Sequence, residues 1–321
     1  MSSRTASGRH LAIVGPTASG KSALAMTLAR RHPEVEIVAV DSMQVYRGMD
    51  IGTAKATAAE QAEVRHHLLD VCEPDDDYTV ARYQRECRRA LAEIEGRGGR
   101  ALLVGGTGLY LRAVTDDLDI PGQWPQVRAE LEAEPDTAAL HERLCALDPA
   151  AAARMEPTNR RRVVRALEVT VGGGRPFSSY GPGLGEHPPL PFPVVALDID
   201  RALLDERIAQ RFQAQLAAGF VAEVETLLAR HEGLSRTARQ ALGYAELLDH
   251  LEHGTPLAEA VDTAVRRTRR FARRQQRWFG HDPRIEWLPV RPGDARDEEA
   301  ALERLECALE GSEPEGSAPG A

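Results

Sequence analysis

Cysteine is scarce in this chain. The four present among 321 residues, Cys72, Cys87, Cys145 and Cys307, are widely scattered and form no C-x-x-C pair. That spacing argues against a zinc site and points to a reducing compartment. Long apolar runs are also missing, and none approaches the length of a membrane span. The opening MSSRTASGRH holds no apolar segment of signal-peptide type, so a frayed, cytoplasmic start is expected there. Positive charge is in deficit overall, with a formal net charge of -9. Spread evenly, that would argue against a nucleic-acid partner. Acids, however, crowd Asp75 to Asp77 and the C-terminal segment, whereas arginines gather at Arg160 to Arg165 and Arg266 to Arg277. The local patch matters more to such a partner than the sum. The remaining composition, 42% hydrophobic and 28% charged, is that of a globular protein, and the length allows two domains or one with a large insertion.

What is present begins with LAIVGPTASGKSALAMTLAR, Leu11 to Arg30: a buried strand, a glycine-bounded loop and a helix. Gly15, Pro16, Thr17, Ala18, Ser19, Gly20, Lys21 and Ser22 fit the phosphate-binding loop G-x-x-x-x-G-K-[ST]. The two glycines allow backbone N–H groups to approach phosphate oxygens, Lys21 supplies a point charge, and Ser22 a hydroxyl for Mg2+. The loop alone leaves open whether it holds a nucleotide or another diphosphate. A second strand, Ile37 to Val40, delivers Asp41 at its C-terminal edge, where open α/β sheets bind ligands. Asp41 is either a cap of the following turn, a Mg2+ ligand through water, or a carboxylate within reach of whatever the loop presents. Arg47 and Lys55 bring positive charge nearby, and His66 and His67 are assigned to packing and hydrogen bonding.

A helix over Val80 to Glu95 precedes a third strand, Ala101 to Val104, which ends in Gly-Gly-Thr. An ATPase would be expected to place an Asp there for the Mg2+ shell, so its absence weakens that reading and leaves Thr107 as a hydroxyl at the edge shared with Asp41 and Lys21. Strand signals then stop. Residues 118–193 read as a helical insertion, and 1–117 with 194–310 as the α/β core. Within the insertion, RRRVVRALEVTV has Arg160 to Arg165 at one end and Val163, Val164, Leu167 and Val171 on a packing face; a solvated basic face explains the arginines equally well. The core resumes at Val194 to Asp200, followed by a helix carrying Arg207 and Arg211 four apart, an arrangement that suits two phosphate-facing or two surface arginines. AVRRTRRFARRQQRWFG then places seven arginines and no acid between Arg266 and Arg277. Helical periodicity sets Arg266, Arg270, Arg273 and Arg277 on one stripe, opposite Val265, Phe271, Ala272, Trp278 and Phe279, and an anionic partner is the economical explanation. A strand at Ile285 to Leu288, a helix near Ala300 to Leu309 and a disordered tail, 311–321, complete the expectation.

Taken with DSMQVYRGMDIGTAK, HHLLD, LLVGGTGLYLRA, RIAQRF, AAGFVAEV, RQALGY and TRRFARRQQRWF, these segments resemble the bacterial tRNA isopentenyltransferases, the tRNA dimethylallyltransferase family, over nearly the whole chain. The resemblance implies a P-loop NTPase-like parallel sheet flanked by helices with a helical insertion. It implies transfer of a dimethylallyl group from dimethylallyl diphosphate to N6 of the adenosine just 3′ of the anticodon in tRNAs that read codons beginning with U. By the same resemblance Mg2+ is the cofactor, the anticodon stem-loop is the partner, the location is cytoplasmic, and a monomer is expected. Asp41, Thr107, Lys21 and Arg211 become the catalytic set, with Asp41 accepting the N6 proton, and the phosphate loop becomes the cradle of a prenyl diphosphate. Contacts to tRNA are implied for Asp41, Ser42, Met43, Gln44, Thr107, Arg128, Arg161, Arg162, Val163, Val164, Arg165, Arg239, Gln240, Gly243 and Tyr244, and for Arg270, Arg273, Arg274 and Arg277 on the basic helix. Two departures stand out: Ser22 replaces the threonine of many members, and Ala245 stands where several carry a basic residue.

Overall fold

Strand, loop and helix alternate from the first described residue, so the sheet is built from parallel strands. The computed structural model describes residues 10–181 and 183–311; the expected frayed start and all but Gly311 of the expected tail lie outside the described residues. The chain divides into two compact units, one running to Leu111 and resuming at Pro189, the other Arg112–Pro188.

The first unit opens with β1 (Leu11–Val14), α1 (Lys21–Arg31), β2 (Val35–Val40), α2 (Ala58–Glu63), β3 (His66–His67), α3 (Val80–Gly96), β4 (Arg100–Gly105) and the start of α4 (Gly108–Thr115). Six strands lie in the order β3-β2-β4-β1-β5-β6, with β5 at Val194–Asp198 and β6 at Glu286–Pro289, and every pairing is parallel. This is the expected P-loop NTPase-like α/β fold. One strand escapes sequence reading: His66 and His67 pair with Ile37 and Val38 at the sheet edge, which makes the expected third strand the fourth. Two residues are too few to show a period.

The central strands are buried on both faces and read as unbroken apolar runs, as parallel strands covered by helices must. Leu11, Ile13, Ile37, Leu102, Val195 and Leu197 pack with Leu24, Ala25 and Leu28 of α1 and with Leu302, Leu305 and Leu309 of α14 (Ala295–Glu310), whose helices cover one side. Each of the leucine, isoleucine and valine side chains stabilises the fold by roughly 1.5–3 kcal/mol relative to exposure.

The second unit consists of α5 (Pro125–Ala133), α6 (Thr137–Leu147), α7 (Pro149–Ala152) and α8 (Arg160–Gly173), followed by two short 3-10 turns. Its own core joins Leu131, Leu140 and Leu144 to Val163, Val164, Ala166 and Leu167. The chain's entry and exit are tied at the neck, where buried Arg112 donates to Glu186 O at 2.6 Å. The first unit then finishes with α9 (Arg201–Ala217), α10 (Phe220–Leu228), α11 (Arg236–Arg239), α12 (Tyr244–His253), α13 (Leu257–Gly280), β6 and α14.

Candidate active site

The loop between β1 and α1 is shaped for an anion. Gly20 caps α1 in the left-handed region at φ 96°, where it offers no side chain, and the first turn carries no acid. The first-turn N–H groups are therefore uncapped by any side chain, and the positive end of the helix is left uncompensated. Ala18 also holds a positive φ, 66°, a conformation that non-glycine residues adopt mainly where the surroundings enforce it. Lys21 is buried, with Nζ donating to Pro16 O at 2.5 Å and to Ser19 Oγ at 3.4 Å. Its pKa is lowered to about 7, first by burial and then by the charge of Arg211, with Asp41 opposing both.

Beside the loop, a cavity of about 300 Å³ runs along the C-terminal edge of the sheet. Lys21, Ser22, Asp41, Arg207 and Arg211 reach it together. Alternation along β2 turns Ile37, Ala39 and Asp41 to the same side, so an apolar floor leads up to the carboxylate. Asp41 does what two of its readings describe. Its Oδ1 caps the turn by accepting from Met43 N (2.8 Å) and Gln44 N (3.3 Å), and Oδ2 is left without a hydrogen-bond partner among the described residues. The two arginines of α9 face the cavity rather than bulk solvent. Arg207 is anchored by Nε donating to Ala18 O at 2.9 Å, whereas the buried Nε of Arg211 has no partner among the described residues. Burial lowers the pKa of Arg211, with Asp41 pulling the other way. A buried, unpaired guanidinium N–H beside an uncapped helix N-terminus is what an incoming phosphate would satisfy. The exposed Ser22 hydroxyl on the cavity wall fits Mg2+ held jointly with phosphate oxygens.

Thr107 is close to Asp41 but does not line the cavity. Its hydroxyl accepts from Ser42 N at 3.2 Å, while its N–H donates to Val40 O at 3.2 Å, so it ties the end of β4 to the end of β2. His66 and His67 are held as expected, donating to Val64 O (2.8 Å) and to Glu36 (2.7 Å). Lys55 is buried between Asp50 and Asp70 and is thus structural, and Arg47 pairs with Glu73. Gln275 was not singled out by the sequence. Its Oε1 accepts from Thr17 N (2.8 Å) and its Nε2 donates to Gly106 O (2.9 Å), so α13 straps the phosphate loop to the end of β4. A Cβ on Gly106 would stand 2.1 Å from that amide nitrogen.

The remaining residues implied at tRNA divide sharply. Ser42, Met43 and Gln44 are partly exposed at the sheet edge beside Asp41, and Gln240 is exposed after α11. Arg161 and Arg162 are exposed on the helical unit. Val163 and Val164 are not available: both are core residues of that unit, 0% and 2% exposed. Arg165 donates to Pro121 O and Gly122 O at 2.9 Å and pairs with Glu168, and Arg128 pairs with Glu132 and Glu168. These two serve their own unit. Arg239 pairs with Glu252, Gly243 N donates to Glu246, and Tyr244 is buried with its hydroxyl on Glu223. The expected stripe on α13 is rotated in part. Arg273 leans with Arg269 to Asp205 of α9, and Arg267 pairs with buried Glu246 of α12. Arg266, Arg270, Arg274 and Arg277 are the exposed arginines of α13 without an acidic partner among the described residues, and Val265, Phe271 and Trp278 are only partly buried beside the packed Ala272 and Phe279.

Comparison with known proteins adds an independent line. A family profile described as IPP transferase matches residues 44–282. The tRNA dimethylallyltransferase of Kineococcus radiotolerans is 51% identical over 292 residues, covering 88% of this chain and 91% of the relative. That of a Nocardioides species is 50% identical over 281 residues, covering 87% and 90%. Among solved structures, the tRNA isopentenylpyrophosphate transferase of Bacillus halodurans is 36% identical with a TM-score of 0.68, covering 95% and 97%. A eukaryotic dimethylallyltransferase acting on tRNA shares the fold with a TM-score of 0.82 at 23% identity, covering 96% and 81%.

Proposed function

The chain belongs to the tRNA dimethylallyltransferase family, and on that premise we propose that it transfers a dimethylallyl group from dimethylallyl diphosphate to N6 of the adenosine 3′ to the anticodon in tRNAs that read codons beginning with U. One observation carries the reading: an uncapped phosphate loop, two cationic side chains and a half-free carboxylate converge on a single cavity. A P-loop ATPase places an acid at the end of the neighbouring strand, and β4 ends here in Gly105, followed by Gly106 and Thr107. A diphosphate that leaves whole needs only cations and N–H donors.

The diphosphate lies on the loop N–H groups of α1, where Arg211 Nε and Lys21 Nζ gain the anionic partner they lack or exchange for Pro16 O. Mg2+, held by the Ser22 hydroxyl, would neutralise part of the diphosphate charge. N6 attacks C1 of the allyl group, the C1–O bond breaks, and pyrophosphate leaves toward Lys21 and Arg211. The N6 proton passes to Asp41 Oδ2, because Oδ1 is committed to the turn. The target base sits in the anticodon loop of tRNA and must be extruded to reach this cavity. Exposed Arg270, Arg274 and Arg277, with Arg161 and Arg162 on the helical unit, hold RNA backbone.

The test is incubation with labelled dimethylallyl diphosphate, Mg2+ and an anticodon stem-loop whose target adenosine is intact or replaced. Label should enter only the intact RNA, and Asp41→Ala should abolish its entry while RNA binding persists. ATP hydrolysis with no labelled RNA would overturn the reading.

A further inference from the structure

Gln44, Thr53, Ala54 and Lys55 form part of the cavity wall, and the anchor of the segment that joins them lies outside the site. Glu223 of α10 gathers four donors: Oε2 accepts from Asp50 N (3.0 Å) and Ile51 N (2.7 Å), and Oε1 from Gly52 N (3.2 Å) and the Tyr244 hydroxyl (2.5 Å). Gln215 of α9 completes the grip, with Nε2 donating to Ile51 O at 2.7 Å and Gly52 O at 3.1 Å. Behind the loop, Gly52 is pressed against Phe220 and Tyr244, where a Cβ would stand 2.3 and 2.4 Å from their rings. Three successive amides on one carboxylate leave the backbone at Asp50 to Gly52 no freedom to shift.

That rigidity is delivered to the site. Immediately after the clamped residues, Thr53 O and Ala54 O accept from Gln44 Nε2 at 3.1 and 3.3 Å. Gln44 N in turn donates to the Asp41 carboxylate. Gln44, Thr53, Ala54 and Lys55 line the cavity with Asp41, whereas Glu223 and Tyr244 do not. We propose that Glu223, aided by the Tyr244 hydroxyl, is a positioning residue for prenyl transfer, fixing through the Asp50–Gly52 backbone the wall on which Gln44 and the Asp41 carboxylate are set. The buried Tyr244 thereby gains a role on the inner side of the fold, in place of the RNA contact its sequence segment implied.

The inference rests on the proposed transfer activity, and the experiment separates the two. Glu223→Gln, which puts an N–H2 where an acceptor stood, and the milder Tyr244→Phe are compared with wild type in the full chain. Active protein is counted by the stoichiometry of inorganic pyrophosphate binding. Per active site, Glu223→Gln should lower kcat between about tenfold and about a hundredfold, the scale expected of a small misplacement of reacting groups. KM for dimethylallyl diphosphate should stay within about twofold, since the phosphate loop is not touched. Amide hydrogen exchange at residues 50–54 should accelerate in the same variant, and Tyr244→Phe should fall between it and wild type in both readouts. Unchanged kcat per active site, or unchanged exchange, overturns the clamp. If wild type itself labels no RNA, the activity reading fails, while the exchange comparison still decides whether Glu223 holds the loop.

Discussion

With Nζ sealed between Pro16 O and Ser19 Oγ, Lys21 is poised to titrate near neutrality. Its folded pKa of about 7 lies below the ordinary lysine value of 10.5. Below about pH 7 the amine is charged in folded and unfolded chains alike, and folding bears the whole cost of its burial. From about pH 7 to about 10.5 only the unfolded chain holds the proton, so the stability of the ligand-free protein rises with pH across that window. A bound diphosphate favours the charged amine and raises its pKa, so binding above pH 7 should draw in a proton. Calorimetry of pyrophosphate binding at pH 8, in two buffers of different ionisation enthalpy, should show more proton uptake by wild type than by Lys21→Met; equal uptake would mean that Lys21 stays neutral on the bound anion. Lys21 was legible because its role is written into a contiguous motif. Gln275 and Glu223 were not. Each meets its partners across well over a hundred residues of chain, 258 for Gln275 and Thr17 and 173 for Glu223 and Asp50, with no local spacing to mark it.

At the scale of the element, α13 shows how far a periodicity argument reaches. The alternation of apolar and basic residues located the helix and its packed side, because 3.6-residue geometry is a property of the segment alone. Which arginines remain free is not. Asp205 on α9 draws Arg269 and Arg273 to one flank, and Glu246 on α12 draws Arg267 to the other, so the exposed arginines without an acidic partner among the described residues narrow to Arg266, Arg270, Arg274 and Arg277. Removing charge should therefore have two distinct consequences. Arg270→Ala with Arg277→Ala should weaken stem-loop binding and flatten the slope of log K against log salt by about 1.4, for two single-stranded phosphate contacts, with stability unchanged. Arg267→Ala should leave the salt slope alone and destabilise the fold on the order of 1–3 kcal/mol, because Glu246, only 4% exposed, loses the cation on its Oε1 and keeps only the Gly243 N–H on Oε2. Filter binding over a salt series, read beside urea unfolding, checks both. A slope unchanged in the double variant would make the stripe a solvated face.

At the scale of the whole molecule, the expectation of an α/β core interrupted by helices follows from where the strand signals stop, but the borders do not. The compact helical unit runs from Arg112 to Pro188, beginning inside α4, whereas composition changes at 118 and strand pattern resumes at 194. The difference lies in Arg112, a buried cation in an otherwise ordinary helical stretch, whose bonds to Leu184 O and Glu186 O draw the outgoing chain back beside the incoming one. Ends held so close can be joined by a short flexible linker at modest entropic cost. The two units also keep separate apolar clusters, Leu131 to Leu167 in the helical unit and Leu11 to Leu309 in the core. Replacing residues 117–183 by a short Gly-Ser linker should therefore leave a cooperatively folded core. The groups proposed to bind diphosphate, the phosphate loop with Lys21 and Arg211, remain in it, so pyrophosphate affinity should stay within a few-fold of wild type and pyrophosphate should still raise the unfolding temperature through ligand linkage. Transfer of label into an anticodon stem-loop should fall below detection, because Arg161 and Arg162 leave with the deleted unit. A shortened chain that fails to fold or to bind pyrophosphate would show that the helical unit is part of the core's stability; one that still prenylates RNA at the wild-type rate would confine RNA recognition to the core and its arginine helix.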